Sequence, residues 1–179
     1  MNTIRISKID AARRQLDSSI RLWFADDDPV TIHALAWAAY QIVQDINEKK
    51  GDTSISLIEL MRKIIKAEHI EESMGRFKEA MTFFKHANRD PHAILEFNPQ
   101  QNDAIILFAI RGLQLLGEHI TDVMRAYYFW NNLHSPSYFL KQEDGKGVPP
   151  NMVAQLRNIP KSDFLKAALL GFAQNKGVR

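Results

Sequence analysis

The sequence predicts an all-α protein, a helical bundle of about six or seven helices with a small C-terminal helical extension. Three observations carry the prediction. Apolar residues recur at helical spacing in successive blocks along the chain. Those blocks are opened by capping residues or prolines and closed by glycines or prolines. A hydrophobic content of 45% with 25% charged residues is the composition of an ordinary globular core and surface.

The first helix is expected from Ile9 to Phe24, where Ile9, Ala12, Leu16, Ile20 and Trp23 share a face and Arg13, Arg14, Asp17 and Arg21 fill the rest. Asp26-Asp27-Asp28 followed by Pro29 provides an N-cap and an N1 proline, so a second helix should run from Pro29 to Lys49 and stop at Gly51. Its core stripe is Leu35, Ala39, Ile42 and Ile46, and Ala34, Ala36 and Ala38 leave room for a close neighbour. Asp52, Thr53 and Ser54 cap a shorter helix through Ile55, Ile58, Met61, Ile64 and Ile65 to Ala67. The next starts at Glu71 and Glu72, carboxylates suited to a positive helix end, and runs through Phe77, Ala80, Met81 and Phe84 to Lys85 and His86.

Pro91 disfavours helical geometry at Asp90, and Ile94 to Phe97 reads as extended. Asn98-Pro99-Gln100-Gln101 then supplies a cap, an N1 proline and a capping-box glutamine. Helical patterning continues to His134, with Gly112 and Gly117 as points of division or bending. Ser135-Pro136 ends the run, and residues 142–150 carry the charge, glycine and proline of an exposed loop. A short helix over Asn151 to Asn158 and a last one capped by Ser162 and ending near Gly177 complete the chain. The domain reading is therefore a bundle over residues 1–141, a loop over 142–150 and an extension of the same domain over 151–179. No internal repeat supports a solenoid.

The 179 residues suffice for one sizeable core. A formal charge of +2 permits nucleic acid without implying it. Absence of cysteine removes disulfides, thiolate catalysis and cysteine-ligated metals, and points to the cytoplasm. No leader pattern opens the chain, and its longest apolar stretch, Ala104 to Leu116, is interrupted by Arg111 and Gln114, so no membrane association is expected.

The densest chemistry lies between Phe83 and Pro91. Lys85, His86, Arg89 and Asp90 are the candidate catalytic residues, with His86 as acid or base, Arg89 holding a phosphate and Asp90 orienting a ring nitrogen. The competing reading is a helix terminus, in which Lys85 and His86 offset the negative helix end and Asp90 caps the turn before Pro91. His86, Asp90 and His92 match no metal-ligand spacing, and neither metal nor cofactor is expected. His33, Trp37 and Tyr40 form an aromatic and polar stripe that can pack internally, meet a second copy or line a ligand pocket. Tyr127, Tyr128, Phe129 and Trp130 cannot all face one core, because successive helical residues point about 100° apart; Tyr128 and Trp130 are therefore candidates for a partner surface. Arg13, Arg14 and Arg21, and separately Arg62, Lys63 and Lys66, alternate with Asp10, Asp17 and Glu59 as solvated faces do. Phosphate-loop, dinucleotide and serine-elbow motifs are missing.

The stretch Ala11-Ala12-Arg13-Arg14-Gln15-Leu16-Asp17 leading to Asp28-Pro29-Val30-Thr31-Ile32-His33-Ala34-Leu35-Ala36, together with Phe83 to Pro91, resembles a family of small uncharacterised proteobacterial helical proteins. That resemblance spans roughly residues 9 to 135 and implies a fold but no activity. A more distant one is to HEPN domains, helical bundles that often dimerise and in many members cleave RNA without a metal. Their hallmark is an arginine followed within a few residues by a histidine at a helix start. Arg62 and His69 match that spacing, although Arg62 falls inside the expected helix, while Arg76 with His86 and Arg125 with His134 lie too far apart.

The reading expected from all this is a bacterial cytoplasmic interaction or accessory module, homodimeric and open to a protein partner. The first alternative is metal-independent RNA cleavage, with His86 as acid/base and Lys85 or Arg89 stabilising the charge that develops on phosphorus. The second is a small-molecule binding module with His33 and Tyr40 as polar contacts.

Overall fold

The structure is a computed structural model and describes residues 3–49, 69–86, 90–134 and 150–176. Among the described residues it is all-α, with seven helices packed as a bundle and no strand: α1 (Lys8–Phe24), α2 (Pro29–Lys49), α3 (Ile70–Lys85), α4 (Gln101–Leu115), α5 (Asp122–His134), α6 (Pro150–Arg157) and α7 (Lys161–Lys176). The expected helix over residues 55–67 and the expected loop over residues 142–149 lie outside the described residues.

Helix α1 begins with a capping box in which the Ser7 hydroxyl accepts from the Asp10 backbone N–H while the Asp10 carboxylate accepts from Ser7. It ends in a Schellman turn. The Asp27 N–H donates to the Leu22 carbonyl and the Asp26 N–H to that of Trp23, with Asp26 at φ +52 in the left-handed region. Asp28 then caps α2, accepting from the backbone N–H and the hydroxyl of Thr31 at 2.9 and 2.6 Å. The three consecutive aspartates thus close one helix and open the next, folding α1 and α2 into an antiparallel pair.

Helix α4 is the centre of the bundle. Residues 104–110, apolar all round, are buried without a break, so this stretch has no solvated face. Gly112 lets α2 approach it closely, because a Cβ at that position would lie 2.4 Å from Cγ1 of Val43. Gly117, at φ +74, closes the helix in a second Schellman turn in which the Glu118 N–H donates to Leu113. Of the two glycines expected to divide or bend this run, Gly117 divides it and Gly112 serves packing.

Two expected helix starts shift. Gln101 makes no capping box; the Asn98 side chain instead accepts from the Gln100 N–H at 3.0 Å, and regular α-helix begins at Gln101. At α7 the Pro160 carbonyl takes the N–H groups of Asp163 and Phe164, placing Ser162 inside the helix and not at its cap.

The four-ring run on α5 is divided between neighbours. Tyr127 is fully buried, while Trp130 meets Trp23 and Phe24 of α1 and Phe164 of α7 edge to face, at centroid distances of 6.2, 6.0 and 4.9 Å. Phe164 also stacks on Phe24 at 6.0 Å, so the C-terminal helix is fastened to the bundle through one aromatic cluster. No helix among the described residues is long and apolar enough to cross a membrane.

Candidate functional site

Helix α3 buries Ile70, Phe77, Ala80 and Met81 against the bundle. The same periodicity places Lys78, Thr82, Lys85 and His86 together on its outward side. His86 is the C-cap residue, with extended geometry (φ −133, ψ 120) and its backbone N–H bonded to the Thr82 carbonyl. The helix therefore stops where the sequence indicated.

Two concavities flank this exit. The outer one, of about 580 Å³, is bordered by Lys78, Glu79, Thr82, Phe83, His86, Asp90 and Ala93. The inner one, of about 270 Å³, lies between α2 and α3 against Trp37, Gln41, Lys78, Met81, Thr82, Lys85 and His86. Lys78, Thr82 and His86 border both. None of the side chains of Lys78, Glu79, Lys85 and His86 takes part in an ion pair or hydrogen bond among the described residues. Nearby surface charges are engaged in contrast: Arg76 pairs with Glu72 one turn away on α3.

Of the four residues expected to do chemistry, the structure places Lys85, His86 and Asp90 around these concavities, while Arg89 lies outside the described residues. Among the described residues Asp90 bonds no ring nitrogen. Its Oδ1 accepts the His92 backbone N–H at 3.1 Å, and its carbonyl takes the Ala93 N–H, which makes residues 90–93 a turn led by Pro91. The following segment alternates, with Ile94 and Glu96 outward and Leu95 and Phe97 half-buried, as extended backbone does. Ile94 is 93% exposed beside the site. Among the described residues no group of three His, Asp or Glu side chains could hold a metal.

The α2 stripe lies inside the chain: His33, Trp37 and Tyr40 are all buried. The His33 ring is enclosed by Trp37, which stacks at 6.3 Å, and by Phe84 and Phe97, which meet it edge-on at 5.5 and 5.1 Å. Its Nδ1 faces Oδ1 of Asn102 at 2.9 Å, and the Asn102 amide donates to the Pro29 carbonyl at 3.0 Å. That geometry assigns the ring proton to Nδ1. Among the described residues the buried Nε2 makes no hydrogen bond. Burial holds the His33 pKa below its ordinary value, against the opposing pull of Asn102. Burial likewise raises Tyr40, whose hydroxyl donates to Gln44 at 3.2 Å, with Glu48 and Asp45 adding to the rise. Only Trp37 of this stripe reaches the inner concavity. Tyr128 and Trp130 lie elsewhere, with Arg111 over the Tyr128 ring at 4.8 Å and His134 stacked on Trp130 at 3.9 Å.

Several polar residues that matter were not singled out from the sequence. Lys78, Glu79 and Thr82 precede the conspicuous block, and the signal available was their one-turn and two-turn spacing from Lys85 and His86. Asp103, in the first turn of α4, reads as a routine complement to a helix dipole. In the fold it accepts from the Trp23 indole N–H at 2.6 Å, and burial pushes its carboxyl up to about 6. Lys161 opposes that rise; its ammonium sits 3.8 Å from the centre of the Trp23 ring and pairs with Asp26.

No family of known proteins, no characterised protein and no solved structure matches this chain at significant similarity.

Proposed function

We propose that the protein is an accessory binding module that captures a small molecule where α3 ends. The observation that carries this reading is the meeting of two concavities at Lys78, Thr82 and His86, beside charged side chains that have no partner among the described residues. A volume of about 580 Å³ falls within the roughly 300–1,000 Å³ of small-molecule pockets. Lys78 and Thr82 project from the body of a regular helix and His86 from its cap, so the polar groups are presented by a rigid element.

Thr82 is exposed and borders both concavities, so Thr82→Trp should fill them while leaving the fold intact. Thermal-shift measurements across a metabolite panel should give hits with the wild type that disappear in Thr82→Trp. A flat response from the wild type, or hits that survive the substitution, would count against the reading.

Metal-independent RNA cleavage is a second reading with one observation in its favour. His86 and Asp90 border the same concavity as Lys78, which puts acid/base groups beside a cation. Incubation of the protein with a mixed-sequence RNA in the presence of chelator tests it. Cleavage lost in His86→Ala without a drop in melting temperature supports catalysis, and absence of cleavage by the wild type removes it.

A further inference from the structure

Resting on that binding reading, we propose that the inner concavity between α2 and α3 takes the phosphate group of a small phosphorylated molecule, whose remainder lies in the outer concavity. Charge is divided unevenly between the two. Both carboxylates at the site, Glu79 and Asp90, border the outer concavity, whereas the described lining of the inner one contains no acid and presents Lys78, Lys85 and His86.

Two ammonium groups without ion-pair partners among the described residues match the charge of a phosphomonoester, about −1.5 to −2 near neutral pH, better than that of a single carboxylate. The negative end of α3 opposes an anion here, but it amounts to about half an elementary charge. Lys85 and His86 at that end offset it, and Lys78 stands two turns back. A net positive charge remains. Gln41 and Thr82 add donors of the kind that bind phosphate oxygens, and the His86 ring supplies an N–H in either tautomer. Trp37 gives the inner concavity an apolar wall, and Phe83 does the same for the outer one. The outer carboxylates then accept from hydroxyl or amine groups on the rest of the ligand. All three basic side chains are exposed, so the attraction should weaken as salt rises.

The test is an NMR titration that follows the Trp37 indole N–H. The probes are phenyl phosphate, phenylacetate, phenol and inorganic phosphate, each added to the wild type and to the double variant Lys78→Gln/Lys85→Gln. Both lysines are exposed, and an unchanged melting temperature confirms that the variant is folded. Phenyl phosphate should saturate the wild type about tenfold more tightly than phenylacetate and lose about tenfold or more in the double variant, as expected when charged hydrogen bonds are removed. Equal binding of phenylacetate or phenol would overturn the phosphate assignment and leave the binding reading standing. Inorganic phosphate binding as tightly as phenyl phosphate would overturn the organic ligand. Silence from all four probes would overturn this inference, while the metabolite panel with Thr82→Trp decides the binding reading separately.

Discussion

His33, buried, and Asp103, half-buried, are titratable groups with opposite effects on stability. Because burial lowers the His33 pKa, the unfolded chain takes up a proton below the ordinary value of 6.5 that the folded chain resists. Stability from this residue is therefore present above that pH and declines as the solution becomes more acid. Asp103 works the other way. Its carboxyl is pushed from 3.8 to about 6, so between those values the folded state holds the proton more tightly, and stability falls as pH rises through that window. Asp103→Asn keeps an acceptor for the Trp23 indole and removes the charge. It should stabilise the protein by up to about 3 kcal/mol above pH about 6, with the gain vanishing below about pH 4; melting temperatures of both proteins across pH check this. Asn102→Ala should cost about 1–3 kcal/mol, because it strands the buried Nδ1 N–H of His33 and removes the bond to the Pro29 carbonyl. Urea denaturation measures it, and an unchanged midpoint would show that neither bond contributes. The sequence drew attention to His33 through its aromatic neighbours on α2, but its polar partner is 69 positions away, a pairing that only folding makes.

At the scale of elements, the local signals translated well because they depend on backbone chemistry close in sequence. Asp28 and Pro29 open α2 as expected, and α3 stops at His86. Asp26 and Gly117 both occupy left-handed positions in Schellman turns, one an aspartate and the other a glycine. The role of Gly112 was less legible, since a glycine inside a helix reads equally as a bend or as a contact. The approach of Val43 decides for contact. Gly112→Ala gains about 1 kcal/mol of helix propensity but places a methyl 2.4 Å from Val43 Cγ1. The clash should win, with a net loss of about 1–3 kcal/mol. Adding Val43→Ala should recover part of that loss relative to Val43→Ala alone, and a double-mutant cycle in urea would reveal the coupling. Additive losses would mean that α2 and α4 separate instead of clashing.

For the whole molecule, the outcome turns on how the C-terminal helices rejoin the bundle. Phe164 is buried among Phe24, Phe129 and Trp130, so Trp130, one of the two rings of α5 read from sequence as a partner surface, meets the chain's own α7. Phe164→Ala should cost about 3–5 kcal/mol and shift one cooperative unfolding transition. If the loss instead appeared as a separate early transition, α7 would be an independently melting unit. The sequence by itself determined the helical class, most helix ends and the place where α3 stops, because hydrophobic period, caps and prolines act over a few residues. The tertiary structure alone decided that Asn102 meets His33, that Trp23 and Lys161 surround Asp103, and that Lys78 and Thr82 join His86 and Trp37 around one cleft. Those outcomes depend on which helix faces pack together, and the hydrophobic pattern of one helix does not specify which neighbour will cover it.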